Sequence, residues 1–430
     1  MAHLTPLFIG GEAKLSVSTF DVINPASGLT VGKSANASRE DCQAAVDDAA
    51  RAFQKWEHST IAERRNILLK AAELVVTDKY KNKILEAIQI ETAASPAWCT
   101  YNWIATTNNL RTSIGFVGEL HGQILPSIIP DGKLEVHRRA IGVILSIAPW
   151  NAAVTLSLRA VLIPIICGNT VVLRSSEYSP RSQAIVVELL HEAGLPPGVL
   201  NYVSVSREDA PARTRELIAH PAVRKITFTG SDRVGRIIAT EAAMHLKPCI
   251  FELGGKAPVI VLDDANVGAA ARGIVRGAFA HSGQVCMSSE RVIVQARVST
   301  SLIGAIISLC KNLEGEIGPL FNEGSAENVV SMVKEAVEGG AELLLGDLKR
   351  ERATVLPHLV KLESKGRETG RGLRVWEKES FGPAVETVDE AVELANASEY
   401  SLTAGVWSND VYAAQHVATR VRAGAHRLLG

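Results

Sequence analysis

From Ile141 onward, apolar runs of strand length alternate with helical patterns at short spacing, and nothing else in the chain constrains its fold as tightly. Ile141 to Ala148 reads as a buried strand, the residues to about Ile166 as a helix and Thr170 to Arg174 as a second strand. That is a β-α-β unit. The alternation goes on with a helix from about Arg181 to Ala193, a strand from Val199 to Val203, a helix near Arg213 to Ala219, a strand from Arg224 to Phe228 and a helix from Ser231. Such a pattern predicts a doubly wound parallel sheet, whose ligands sit at the carboxyl ends of the strands. The second half repeats it less regularly, with a strand from Pro258 to Leu262, a helix from about Asn266 to His281 and a strand from Arg291 to Gln295.

Ahead of the alternation lies a helical layer. Cys42, Val46, Ala49, Phe53 and Trp56 recur at three and four, with Ser38 and Asp41 as a capping pair. Thr60 and Glu63 form the better capping box, before Ile67, Leu68, Ala71, Leu74 and Val75. These stripes read as core. The aromatic run Trp98, Tyr101 and Trp103 fits either helical packing or the wall of an aromatic pocket.

Composition narrows the function classes. With 45 Lys+Arg against 46 Asp+Glu, the formal net charge of −1 offers no field for nucleic acid or an anionic membrane. The six cysteines form no C-x-x-C pair and no cluster with histidine, which argues for a reduced protein without disulfides or a metal site. The N-terminus shows no secretory pattern, so the expected location is cytoplasmic. The most apolar stretch, Ala160 to Leu173, is too short to span a bilayer and reads as helix then strand.

Three features fall where the strand-end rule places a dinucleotide. Pro149, Trp150 and Asn151 close the first strand, and Arg174 and Glu177 close the second. Glu177 is a candidate ligand of the adenosine ribose, and its carboxylate favours NAD by repelling the extra phosphate of NADP. Gly230 to Gly235 joins a strand to a helix and offers free amides to a pyrophosphate, with Ser231 as an ordinary helix cap the plainer reading. Beyond them, Glu252 and Cys286 pair a candidate base with a candidate nucleophile. Thiol and carboxylate alone would equally permit a thiol hydrolase; the nucleotide features discriminate, because a hydrolase has no use for them.

Glu252-Leu253-Gly254-Gly255-Lys256 followed by Gly283-Gln284-Val285-Cys286 resembles the signature pair of the NAD(P)-dependent aldehyde dehydrogenase family. Pro149-Trp150-Asn151, Phe228-Thr229-Gly230-Ser231 and Glu379-Ser380-Phe381-Gly382-Pro383 resemble further family motifs in the same order. Gly283 to Arg291 looks most like the branch acting on aromatic aldehydes such as salicylaldehyde and vanillin. The resemblance implies an α/β protein with a Rossmann-type cofactor domain (1–121 and 141–254), an assembly hairpin (122–140) and a second α/β catalytic domain (255–430). It further implies oxidation of an aldehyde to the acid through a thiohemiacetal and thioester on Cys286. Asn151 would stabilise the oxyanion and Glu252 would activate water. Pro149, Trp150, Arg174, Glu177, Gly230, Ser231, Gly235, Glu379 and Phe381 would hold NAD, with NADP possible.

The chain departs from the family pattern in places. Arg174 stands where the family usually has Lys, and Val205 to Thr214 lacks the usual glycines. The stretch from Lys311 to Gly318 looks shortened. Val411 to Arg422 reads as helical with no strand pattern beyond, so the family's last stretch is expected to be missing. The expected assembly is accordingly a homo-oligomer, a dimer in preference to a tetramer. The alternative reading is a degenerate, non-catalytic relative that keeps the fold and nucleotide binding.

Overall fold

The computed structural model describes residues 3–313, 317–362, 379–381 and 384–430. The chain forms two compact units, one of residues 1–24, 28–92 and 96–252, the other of 25–27, 93–95 and 253–430. In the first unit, a seven-stranded sheet runs in the order Cys249–Leu253, Val223–Gly230, Val143–Ile147, Thr170–Arg174, Leu200–Val203, Leu7–Ile9, Glu12–Lys14. Val143–Ile147 pairs parallel with Thr170–Arg174 on one side and with Val223–Gly230 on the other, so the order reverses there. Every residue of Val143–Ile147 and Thr170–Arg174 is buried, as an unbroken apolar run requires of a sheet covered on both faces. The helix Ala153–Ile166 connects Val143–Ile147 to Thr170–Arg174, and Pro180–Glu192 leads from Thr170–Arg174 to Leu200–Val203. The apolar stretch from Ala160 is thus helix then strand, and no helix among the described residues is long and apolar enough to cross a membrane.

The helical layer follows its caps, with one change. The reciprocal capping box is at Ser38 and Asp41, ahead of Arg39–Trp56, whereas Thr60 only accepts from the Glu63 amide. Gly122 to Ala140 contains the antiparallel strands Gln123–Pro126 and Lys133–Val136, all of whose residues are exposed.

The second unit holds another seven-stranded sheet, in the order Glu342–Leu345, Leu359–Lys361, Glu379–Phe381, Ser289–Val294, Ala257–Val261, Thr403–Trp407, Ala425–Leu429. Alternate residues of its central strands serve two cores. Val259, Val261, Val292 and Val294 pack with Ile274 and Ile306, while Ile260, Ile293 and Val406 pack with Ala391 and Val417. The last strand corrects an expectation. Beyond the Val411–Ala418 helix, Ala425–Leu429 pairs parallel with Thr403–Trp407 in register from Thr403↔Ala425 to Trp407↔Leu429. Its short run, with His426 and Arg427 among the apolar residues, carries no alternation that periodicity could find; the backbone ladder to an already formed strand decides it.

One buried acid ties the helical layer to the Pro180–Glu192 helix. Glu91, 4% exposed, accepts from the Arg181 and Ser182 amides (2.8 Å each) and from Ser182 Oγ (2.6 Å), capping the Pro180–Glu192 helix that Ser179 leaves without a side-chain cap. Burial outweighs these donors and pushes its carboxyl up to about 7. The folded chain therefore keeps a proton that the unfolded chain releases near 4.5, and stability should fall as pH rises from about 4.5 to about 7. Urea melts across that window should show the decline, and Glu91→Gln, which cannot ionise, should flatten it.

Candidate active site

In the first unit, the expected dinucleotide residues gather at the carboxyl ends of the sheet. Pro149, Trp150 and Asn151 follow Val143–Ile147, Arg174 ends the neighbouring Thr170–Arg174 with Glu177 just beyond, and Gly230 ends Val223–Gly230 with Ser231 next. These ends flank the strand at which the order reverses, where open α/β sheets leave a crevice. Two contacts that sequence reasoning missed lock this edge. Gln183 accepts from the Ser176 amide (2.6 Å) and donates through Nε2 to Pro149 O (3.2 Å) and Ser157 Oγ (2.7 Å), joining the ends of two strands. Trp98 Nε1 donates to Asn151 O (2.8 Å) while its ring stacks on Tyr101 at 4.9 Å. Neither has a motif; only Trp98 had a signal, in the aromatic run. Trp103 is a packing residue, its Nε1 bound to Val75 O and Lys81 Nζ 4.7 Å from its ring.

Arg174 carries the clearest sign of a ligand. It is 9% exposed, and its Nε is buried with no acceptor among the described residues. A buried donor left unmade costs about 1–3 kcal/mol, so an acceptor at this strand end would recover it. Gly230 is fixed by packing, since a Cβ there would lie 2.5 Å from the Phe228 ring. Ser231 caps the Asp232–Met244 helix through the Val234 amide (3.4 Å), and Gly235 is buried one turn on. Glu252 lies in Cys249–Leu253, the edge strand of this sheet, and is partly buried.

In the second unit, Cys286 sits on the connection between the Val267–Phe279 helix and the Ser289–Val294 strand. That connection is strained: His281, Ser282 and Gly283 take φ of 51°, 58° and 80° in succession. For the two non-glycine residues this costs on the order of 1–3 kcal/mol each, and persists only where surroundings over-determine it. The determinants are hydrogen bonds. Gln284 Nε2 donates to His281 O and Pro319 O (3.1 Å each), its Oε1 accepts from the Phe321 amide (2.9 Å), and Ser282 Oγ donates to Gly318 O (2.9 Å). Ser288 Oγ closes the far side on Gly283 O (3.0 Å). A Cβ on Gly255 would lie 2.8 Å from Cys286 O, so the Gly255 backbone rests directly on the cysteine.

The other thiols are poor candidates. Burial pushes Cys42 up to about 12 and Cys99 to about 11, and raises Cys167 and Cys249, while Cys310 lies in an apolar core. Burial also holds His281 down, at about 3, so it stays a neutral imidazole and provides no cation for a thiolate-imidazolium pair. Glu379–Phe381 forms a strand between Leu359–Lys361 and Ser289–Val294, with Ser380 opposite Arg291. Gly382 and Pro383 of that motif lie outside the described residues, as do residues 314–316 of the stretch expected to be shortened.

The profile described as the aldehyde dehydrogenase family matches residues 13–428. A vanillin dehydrogenase from Pseudomonas fluorescens is 37% identical over 440 residues, covering 99% of this chain and 89% of the relative. The crystal structure of a salicylaldehyde dehydrogenase from Pseudomonas putida G7 complexed with salicylaldehyde superposes with a TM-score of 0.94 at 33% identity, covering 99% of this chain and 90% of that one. An NAD-dependent benzaldehyde dehydrogenase from Corynebacterium glutamicum gives 0.92 at 31% identity, covering 99% and 94%.

The bonds of Gln284 generate a local test. Gln284→Leu should lower stability by about 1–3 kcal/mol, because it strips the side-chain partner from Pro319 O and from the Phe321 amide. Hydrogen exchange followed by mass spectrometry should quicken in residues 281–288 and 318–321 together, leaving the first unit as it was.

Proposed function

The chain belongs to the aldehyde dehydrogenase family, and from that premise we propose that it oxidises an aromatic aldehyde, salicylaldehyde- or vanillin-like, to the carboxylic acid with NAD as acceptor. The family match makes it an enzyme of aldehyde oxidation with a nicotinamide dinucleotide. The observation that carries the assignment of the nucleophile is the Cys286 loop, a strained connection held by long-range hydrogen bonds around a partly exposed thiol.

In this reading Cys286 Sγ, as thiolate, attacks the aldehyde carbon and forms a hemithioacetal. The side-chain amide of Asn151 and the backbone N–H of Cys286 donate to the oxyanion that develops. When bound, the dinucleotide supplies the acceptor for the hydride lost from the substrate carbon. Glu252 then takes a proton from water, whose oxygen attacks the thioester carbonyl and releases the acid with the thiolate as leaving group. Pro149, Trp150, Arg174, Glu177, Gly230, Ser231 and Gly235 in the first unit, and Glu379 and Phe381 in the second, would hold the cofactor. The unsatisfied Nε of Arg174 fits it, because ribose hydroxyls provide acceptors at that strand end. Arg in place of Lys presents a planar fork there, with more donors in fixed directions.

The aromatic preference rests on the relatives and on the Trp98–Tyr101 stack, which is bonded to Asn151 and leaves Tyr101 about half exposed. The hairpin exposes Ile124, Ile128 and Ile129 at 76%, 102% and 67%, an apolar surface that supports a homo-oligomer in which a second copy covers it. Among the described residues nothing favours the non-catalytic alternative.

Two experiments test the proposal. Following NADH absorbance with a panel of aldehydes should give kcat/KM about tenfold or more higher for aromatic than for short aliphatic substrates. In the same assay Cys286→Ala should lose roughly three orders of magnitude, and an undiminished rate would remove the covalent mechanism. Calorimetric titration should show NAD bound more tightly than NADP, with Glu177→Gln narrowing the gap by roughly tenfold as like-charge repulsion is removed. Equal affinities of the unmodified protein for both would take Glu177 out of the ribose site.

A further inference from the structure

Four residues after Cys286, the strand Ser289–Val294 opens with an irregularity. Ala257 pairs with Ser289, but the next residue, Pro258, pairs with Arg291, so Glu290 is the extra residue of a β-bulge. Bulges of this kind re-aim a side chain and bend the strand that carries them. Here the re-aimed side chain is a carboxylate with little access to water, and it forms an ion pair with Lys256 Nζ, each side chain about 10% exposed. Lys256 directly follows Gly255, the residue whose backbone rests on Cys286 O. The same short turn is gripped again from the strand: Arg291 Nε donates to Lys256 O (3.0 Å), while its other nitrogens donate to Leu394 O and Ala395 O (2.8 Å each) at the end of the Val388–Asn396 helix.

A buried ion pair is a costly way to fill space. Taking both ions out of water is unfavourable, and apolar residues of similar volume often pack as well or better. The direction of both shifts records that cost: burial pushes Lys256 down and Glu290 up, each held back by its partner. What an apolar pair lacks is direction. A charged hydrogen bond fixes the offset between the two backbones that carry it, and these are the turn under Cys286 and the strand that continues from Cys286.

We propose that Lys256 and Glu290 are positioning residues, whose ion pair across the bulge fixes the Cys286 loop so that its thiol and backbone amide are aligned for attack. This rests on Cys286 being the nucleophile. Because a displacement of about 1 Å costs on the order of a hundredfold in rate, loss of the pair should be felt in kcat without loss of binding.

The test uses the full chain and three variants, Glu290→Gln, Lys256→Met and the double variant Lys256→Met/Glu290→Leu. It reads Tm, kcat and KM for an aromatic aldehyde, and the rate of Cys286 alkylation by iodoacetamide between pH 6 and 9 without cofactor. The single variants should melt lower, and Lys256→Met most of all because it strands a buried carboxylate. The double variant should recover most of the Tm yet keep kcat about ten- to a hundredfold down at a KM within about threefold of the parent, with an altered alkylation profile. Parental kcat and alkylation in a double variant of restored Tm would reduce the pair to packing and overturn the proposal. If the double variant does not fold, Glu290→Gln decides, since it keeps shape and an acceptor for Lys256: unchanged kcat and alkylation overturn the proposal, and a lowered kcat at unchanged KM upholds it. Alkylation needs no turnover, so a parent that is inactive on aldehydes but whose Cys286 profile still shifts in the variants would sink the assigned reaction and leave the positioning role standing.

Discussion

Burial of parallel strands on both faces is the constraint from which the rest follows. Every residue of Val143–Ile147 and Thr170–Arg174 is buried, and Ile260, Val261, Val292 and Ile293 serve two cores from one sheet. A strand covered on both faces has no room for an unpaired polar group, so chemistry is confined to its ends and to the connections. Pro149, Asn151, Arg174, Glu177 and Ser231 are all found at such ends, and Cys286 on such a connection.

The connections are held by groups far away in the chain. Gln284 reaches Pro319 and Phe321, Arg291 reaches Leu394 and Ala395, and Gln183 ties the ends of two strands through Pro149 and Ser176. Each bond contributes only about 1 kcal/mol net, but together they tie the connections to distant backbone groups. That is how a loop with two non-glycine residues at positive φ stays in one conformation beside the nucleophile. Strain and over-determination occur together, and the loop is placed more tightly than its length suggests.

Much of this was legible in the residues. Strand and helix alternation from Ile141 gave the parallel sheet because apolar runs bounded by turn residues report burial directly, and Glu252, Gly255 and Cys286 stood out because their spacing matches a family pattern. The capping of Arg39–Trp56 was legible too, although the complete box proved to be at Ser38 and Asp41 and not at Thr60 and Glu63. Periodicity failed at Ala425–Leu429, where five residues with two polar members carry no pattern and an existing edge supplies the ladder.

The sequence by itself determined which segments are buried, which residue types could do chemistry and to which family the motifs belong, since all of these are local properties. Only the tertiary structure decided that Glu91 caps a helix begun by Pro180, that Trp98 holds Asn151, that Arg174 keeps an unsatisfied donor and that Glu290 turns through a bulge to Lys256. The reason is physical: hydrogen-bond satisfaction and ion pairing depend on which groups the fold brings within about 3 Å, and no spacing along the chain encodes that distance.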